Sequence, residues 1–286
     1  MAYLGLYEKA IPMKVSWLEK LQKAKDLGFD FLEISIDESD ERLSRLDWTL
    51  AQKRELTALS QDLNMPIISM CLSGHRRFPY GSKDKKTLEK AREIMSKALD
   101  FAAYCGIRNI QMAGYDVYYE ESSPTSQQQF KDELALAVQQ ASARQIMLSI
   151  EIMDYPFMSS ITRFAEVTKH IQSPWLTVYP DVGNLTAWWN DVPQELTDYI
   201  SRISAIHLKD TKPVGPKSLG QFRDLRIGEG TVNFVEVFKA LKSANYHGSF
   251  VLELWGDKAN DYEKLITSSR NAILTAMKSA GYNYPH

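Results

Sequence analysis

Cysteine is almost missing from this chain: 286 residues contain two, Cys71 and Cys105, and neither belongs to a Cys-x-x-Cys pair. A disulfide framework is not expected, and both residues read as buried apolar thiols. An excess of charge of either sign is missing too, since 34 basic and 36 acidic side chains leave a net charge of −2. Without the basic footprint that a phosphodiester backbone requires, nucleic acid is disfavoured as a partner. No apolar run approaches the ~20 residues that span a bilayer. The opening segment, MAYLGLYEKAIPMK, lacks a basic stretch followed by a long apolar one. A cytoplasmic protein without a membrane partner is the expectation. No Gly-rich phosphate turn follows an early β-type run, which argues against a doubly wound open sheet. No Pro/Gly/Ser-rich linker interrupts the chain, so residues 1–286 read as one domain.

With 44% hydrophobic and 24% charged residues, the chain can bury a large core unaided. Eight β-type runs, at 3–7, 29–36, 67–72, 107–113, 147–153, 176–180, 203–208 and 249–255, alternate with amphipathic stretches. Ser16–Glu19 reads as a capping box, and Thr49–Gln52 and Asn233–Glu236 resemble it. Gly28 and Gly106 close helical patterns ahead of strands, as left-handed caps do. Strands alternating with helices of ten or more residues imply parallel pairing through crossovers. Eight such units, at a length near the ~250 residues typical of the fold, close most simply into a (β/α)8 TIM barrel.

Four metal-type side chains stand at the downstream ends of successive runs: Glu151 in MLSIEIMD, Asp181 in LTVYPDVGN, His207 in ISAIHLKD and Glu253 in SFVLELW. A carboxylate within an apolar β run is costly to bury unless it is paired or bound to a cation. Their separations of 30, 26 and 46 positions match one or more βα units, which sets all four at the C-terminal mouth where barrel active sites form. Three oxygen donors and one nitrogen suit a divalent ion, Zn²⁺, Mn²⁺, Mg²⁺ or Co²⁺, with coordination left for a chelating substrate.

The blocks EIMDYP (151–156), YPDVGN (179–184), HLKD (207–210), IGEGTVNF (227–234) and LELW (252–255) resemble the xylose-isomerase-like sugar isomerases and epimerases. More narrowly, they resemble the L-ribulose/L-xylulose 5-phosphate 3-epimerases of pentose and L-ascorbate breakdown. LGLYEKAIP (4–12), LSRLDW (43–48), MCLSGHRRFPYGS (70–82) and AGYDVYY (113–119) extend the similarity over nearly the whole chain. The resemblance implies that Glu151, Asp181, His207 and Glu253 hold the metal. It further implies that Glu151 and Glu253 flank C3 of a 2-ketose, one removing its proton and the other returning a proton to the opposite face. Free-sugar 3-epimerases carry Asp-x-x-His after strand 6 and an Arg soon after the strand 7 His. Asp181-Val182-Gly183-Asn184 and His207-Leu208-Lys209 depart from that pattern, which puts a phosphorylated pentulose ahead. The alternative on the same metal site is an epimerase or isomerase of an unphosphorylated ketose or a hydroxypyruvate-type substrate. An endonuclease of the same superfamily gathers several metals with extra histidines, and five His in all argue against it.

Other residues carry two readings each. His75, Arg76 and Arg77 either clamp a 5-phosphate or form a solvated basic loop. Lys209 either contacts substrate oxygen or pairs with an acid. Asn184 either binds substrate or caps the next helix. Asp154 and Glu229 either orient metal ligands or, for Glu229, hold a loop. Tyr115, Tyr118, Tyr119, Trp188 and Trp189 form a lid or pack. His170, His247 and His286 read as surface residues. A homo-oligomer, a dimer, is the expected assembly.

Overall fold

The computed structural model of the protein describes residues 3–284. Its strands are β1 (Leu4–Tyr7), β2 (Phe31–Ile36), β3 (Ile67–Leu72), β4 (Asn109–Ala113), β5 (Met147–Glu151), β6 (Leu176–Tyr179), β7 (Ala205–Leu208) and β8 (Ser249–Leu252). Between and after them run α1 (Trp17–Asp26), α2 (Asp40–Leu43), α3 (Leu50–Asp62), α4 (Lys85–Cys105), α5 (Pro124–Ala143), α6 (Ile161–Thr168), α7 (Val182–Ala187), α8 (Val192–Asp198), α9 (Phe234–Ser243) and α10 (Tyr262–Ser279). All ladder pairings are parallel, and the sheet runs β6-β5-β4-β3-β2-β1-β8-β7. Between β6 and β7 the ladder thins to two isolated parallel bridges, Val178 with Ile203 and Asp181 with His207. The second bridge joins two of the residues singled out above.

Local chemistry fixes the helix ends. The capping box at Ser16 forms, and of the two similar segments Thr49 forms one as well, each exchanging hydrogen bonds with the residue three positions on. Asn233 accepts from the Glu236 amide, but the Glu236 carboxylate pairs with Lys239 at 2.8 Å instead of returning to the cap. Gly28 and Gly106 adopt φ of 79° and 78°, the left-handed conformation in which a side chain is disfavoured.

Successive strand side chains point to opposite faces, and here the two faces have different chemistry. The even-numbered positions, such as Leu32, Ile34, Met70, Ile110, Ile150, Val178, Ile206 and Leu252, join the main core between barrel and helices. The odd-numbered positions face the barrel axis. Tyr7, Phe31, Cys71, Tyr179, Ala205 and Val251 form an inner apolar cluster, interleaved with buried Glu33, Ser35, Ser69, Gln111, Ser149, Glu151 and His207. Polar groups inside a barrel must find partners there. Runs 147–153 and 249–255 end earlier than their composition suggests, at Glu151 and Leu252. Glu253 therefore stands one residue past β8, still tied to β7 through its amide and the Leu208 carbonyl at 3.1 Å.

Candidate active site

Glu151, Asp181, His207 and Glu253 meet at the C-terminal mouth, where one donor atom from each lies within 4.8 Å of the others and all four residues are buried. Each is held by its own element. Gln111 of β4 donates to Glu151 Oε2 at 2.5 Å. Asp181 caps α7 by accepting the Asn184 amide at Oδ1, 2.8 Å away, which turns Oδ2 to the centre. His207 Nδ1 lies 3.1 Å from Glu151 Oε1 and 3.8 Å from Glu253 Oε2. Lys209 Nζ stands 2.7 Å from Asp181 Oδ2 and 3.1 Å from Glu253 Oε2.

The charge balance of this group is uneven. Burial pushes the Glu151 carboxyl up and carries Asp181 to about 7. Burial opposes ionisation of Glu253 as well, but Lys209 and His207 outweigh it and hold that group at about 2. One ammonium thus serves two acids and satisfies one of them. Burial lowers His207, and the carboxylates of Glu33, Glu253 and Glu151 overcome this and lift it well above the ordinary imidazole range. With Glu33 included, four carboxyl groups face one imidazole and one ammonium. Asp181 Oδ2 and Glu253 Oε2, both buried, share the single Lys209 ammonium. A divalent cation would answer the excess negative charge. The donor set fits one.

Above the cluster, the cavity is lined by Tyr7, Lys9, Cys71, Ser73, Arg76, Asp154, Asn184, Lys209, Arg223 and Trp255 together with both glutamates. Arg76 is 8% exposed; it lines the cavity, stacks on Tyr115 and Tyr118, and donates to the Tyr115 hydroxyl at 3.0 Å. Tyr115 in turn donates to Asp154. Arg223 lies 4.0 Å from Asp154 and over Trp255, and Lys9 pairs with Asp37. Asn184 lines the cavity with its amide nitrogen bound to the Ile152 carbonyl at 2.8 Å and its Oδ1 unpartnered. Capping of α7 belongs to Asp181, not to Asn184.

His75 and Arg77 stand apart from this cavity, which corrects the grouping of three adjacent basic residues. His75 is buried under α4 with Nε2 3.2 Å from the Ala91 carbonyl, and burial lowers its pKa to about 4. Arg77 is exposed and pairs with Asp40 at 2.6 Å. Asp154 touches rim residues and none of the four clustered ones, while exposed Glu229 pairs with Arg226 at 3.1 Å and so holds its loop. Tyr115 packs inside, whereas Tyr119 and Trp189 are exposed. His170 and His247 are exposed, and His286 falls outside the described residues. Cys71 is buried and Cys105 half-buried, both as free thiols. No helix among the described residues is long and apolar enough to cross a membrane.

The residue missed by the sequence reading is Glu33. It is fully buried in mid-β2, where its Oε1 lies 2.7 Å from His207 Nε2. The signal was available: in FLEISI the inward positions are Phe31, Glu33 and Ser35, and a mid-strand acid among apolar neighbours needs a partner.

A family model described as the xylose isomerase-like TIM barrel matches residues 21–276, so fold and site together define a barrel of that class. Solved structures agree in fold, among them one of a D-tagatose 3-epimerase-like protein (TM-score 0.79, 16% identity, 98% of both chains covered). Another is of an L-ribulose 3-epimerase (TM-score 0.77, 17% identity, 98% and 97% covered). Sequence relatives are much nearer. The putative L-ribulose-5-phosphate 3-epimerase SgbU of Escherichia coli strain K12 is 54% identical over 279 residues, 98% of either chain. The L-ribulose-5-phosphate 3-epimerase UlaE of Escherichia coli O157:H7 is 46% identical over 278 residues, 97% of this chain and 96% of its own. The chain belongs to the L-ribulose-5-phosphate 3-epimerase family and is an isomerase of the epimerase class.

Proposed function

We propose that this enzyme is a divalent-metal-dependent 3-epimerase that interconverts L-xylulose 5-phosphate and L-ribulose 5-phosphate, with a place in L-ascorbate breakdown. The observation that carries the reading is the convergence of two buried glutamates, Glu151 and Glu253, on one Asp/His/Lys-lined centre. In this reading Glu151, Asp181, His207 and Glu253 hold Zn²⁺, Mn²⁺, Mg²⁺ or Co²⁺. The ion supplies Lewis-acid stabilisation of negative charge on the substrate's O2 and O3, worth several kcal/mol. One glutamate accepts the C3 proton, adding roughly 10²- to 10⁴-fold as a positioned base. The other delivers a proton to the opposite face, and inversion at C3 results. Lys209, which lies 2.7 Å from Asp181 and 3.1 Å from Glu253, is placed to donate to a substrate oxygen that becomes negative. A phosphate is favoured over a free sugar by the cations at the rim, Lys9, Arg76 and Arg223. Of these, Arg76 is the most constrained: Nη2 donates to Tyr115, Nη1 lies 3.6 Å from Glu38, and Nε is left without a partner to donate to a phosphate oxygen, while Asn184 Oδ1 is free to accept from a sugar hydroxyl.

The test is an epimerisation assay on L-xylulose 5-phosphate and on L-xylulose, before and after chelation and with each of the four ions restored. The expected result is turnover of the phosphate ester, loss on chelation and recovery with at least one ion. Equal turnover of the unphosphorylated sugar, or full activity in chelator, would contradict it.

A further inference from the structure

Glu33 plays no part in the proton transfers above, yet both of its carboxylate oxygens are engaged inside the barrel. Its Oε2 accepts from Ser69 Oγ at 2.7 Å and from the Tyr179 hydroxyl at 2.9 Å. Its Oε1 faces His207 Nε2 at 2.7 Å. Of the two ring nitrogens, Nε2 is therefore the one that Glu33 engages. Nδ1 is then the nitrogen turned toward Glu151 and Glu253, at 3.1 Å and 3.8 Å. The ring has little freedom to turn over, because Tyr7 and Tyr179 stand 6.1 Å and 4.6 Å from it, centroid to centroid.

We propose that Glu33 is a positioning residue: by accepting from His207 Nε2 it fixes the ring with Nδ1 aimed at the centre formed with Glu151, Asp181 and Glu253, where that nitrogen would bind the ion, with Ser69 and Tyr179 holding Glu33 in turn. This rests on the metal reading of the site. A metal-binding histidine whose second nitrogen is held by a carboxylate gains both orientation and basicity, and such partners contribute roughly 10- to 100-fold to metal affinity. The role assigns a function to an acid two strands from β8, which leads into Glu253, and three from β5, which carries Glu151. It also explains why β2 carries a carboxylate inside the barrel.

The experiment uses the full-length enzyme loaded with Zn²⁺ and two readouts that do not depend on turnover. Long-range ¹H–¹⁵N correlation of the wild type, with His207 identified by its loss in His207→Gln, should find Nε2 protonated and Nδ1 bound to zinc. Competition against a chelator of known affinity should give Glu33→Gln and Glu33→Leu a zinc affinity roughly 10- to 100-fold weaker than wild type, with Tyr179→Phe weakened less. A Glu33 that only supports the fold would lower the melting temperature of its variants without changing zinc affinity. Zinc bound through Nε2, or variant affinities within twofold of wild type, would overturn the assignment while leaving the metal site intact. A wild type that binds no divalent ion would overturn the metal reading and this role together. Should neither Glu33 variant fold, the wild-type spectrum decides alone.

Discussion

Glu151 and Glu253 are held in unlike ways. Glu151 is tied through Oε2 to the neutral amide of Gln111, while Glu253 Oε2 faces the Lys209 ammonium at 3.1 Å. Under the two-base mechanism each serves one face of C3, so Glu151→Gln and Glu253→Gln should each abolish net epimerisation. The change is nearly isosteric, and metal content must be measured alongside, since each variant also loses a charged ligand. With metal retained, one variant should keep C3 hydrogen exchange from one epimer only, and the other from the opposite epimer. Net epimerisation by either metal-loaded variant would remove that glutamate from the mechanism. At the rim, Arg76→Ala should raise KM for the phosphorylated substrate roughly 10- to 100-fold, the loss of one charge-assisted contact of ~1.5 to 3 kcal/mol. Arg77→Ala should leave KM unchanged, because Arg77 pairs with Asp40 outside the cavity. Steady-state kinetics on both variants separates the two, and equal effects would return the loop to a purely structural role.

The elements were legible in the sequence because the barrel repeats one pattern: an inward odd position, an outward even one, then a capped helix. All eight strands fall within the runs read from composition, since β-branched and aromatic runs between capping signals leave few other assignments. The rim was less legible for a geometric reason. Gly74–Arg76 is a 3₁₀ turn, and at 3.0 residues per turn successive side chains diverge by a third of a revolution. His75, Arg76 and Arg77 therefore point to helix α4, the cavity and solvent respectively, though sequence adjacency groups them. Glu33 was hidden because attention to strand ends overlooks strand middles. A further network out of view from the sequence sits just past β1. Glu8 is fully buried and pairs with Lys20 at 2.9 Å and Arg45 at 2.6 Å, joining α1 to the segment after α2. Burial alone would raise its carboxyl, but Arg45, Lys20 and Arg42 outweigh it and take it from the ordinary 4.5 down to about 2. A depressed acid stabilises the fold above the unfolded pKa and loses that contribution as pH falls through the folded one. Stability from this network should therefore be present at neutral pH and drain away between about 4.5 and about 2. Glu8→Gln leaves buried cations uncompensated and should cost about 3–5 kcal/mol at pH 7. Urea unfolding of both proteins across this range measures it; a variant as stable as wild type at pH 7 would mean that the network is solvated.

At the scale of the molecule, the barrel is nearly closed, and its thinnest seam passes through the site. The β6–β7 junction consists of two bridges, one of which joins Asp181 to His207. An ion held by both would link the two strands through their side chains as well as their backbones. Binding to the folded state alone stabilises by ~2.7 kcal/mol at a hundredfold excess over Kd. Chelation should therefore lower the melting temperature, and restoring the ion should raise it again; a melting temperature indifferent to chelator would contradict the metal site. The central claim, that this barrel inverts C3 of a pentulose phosphate by proton transfer at a metal centre, is tested most directly by proton NMR of L-xylulose 5-phosphate with the enzyme in D₂O. The account predicts L-ribulose 5-phosphate carrying deuterium at C3 and hydrogen at C1 and C4, with no exchange once the metal is chelated. Product that keeps its C3 hydrogen, or C3 exchange that persists undiminished in chelator, would contradict it.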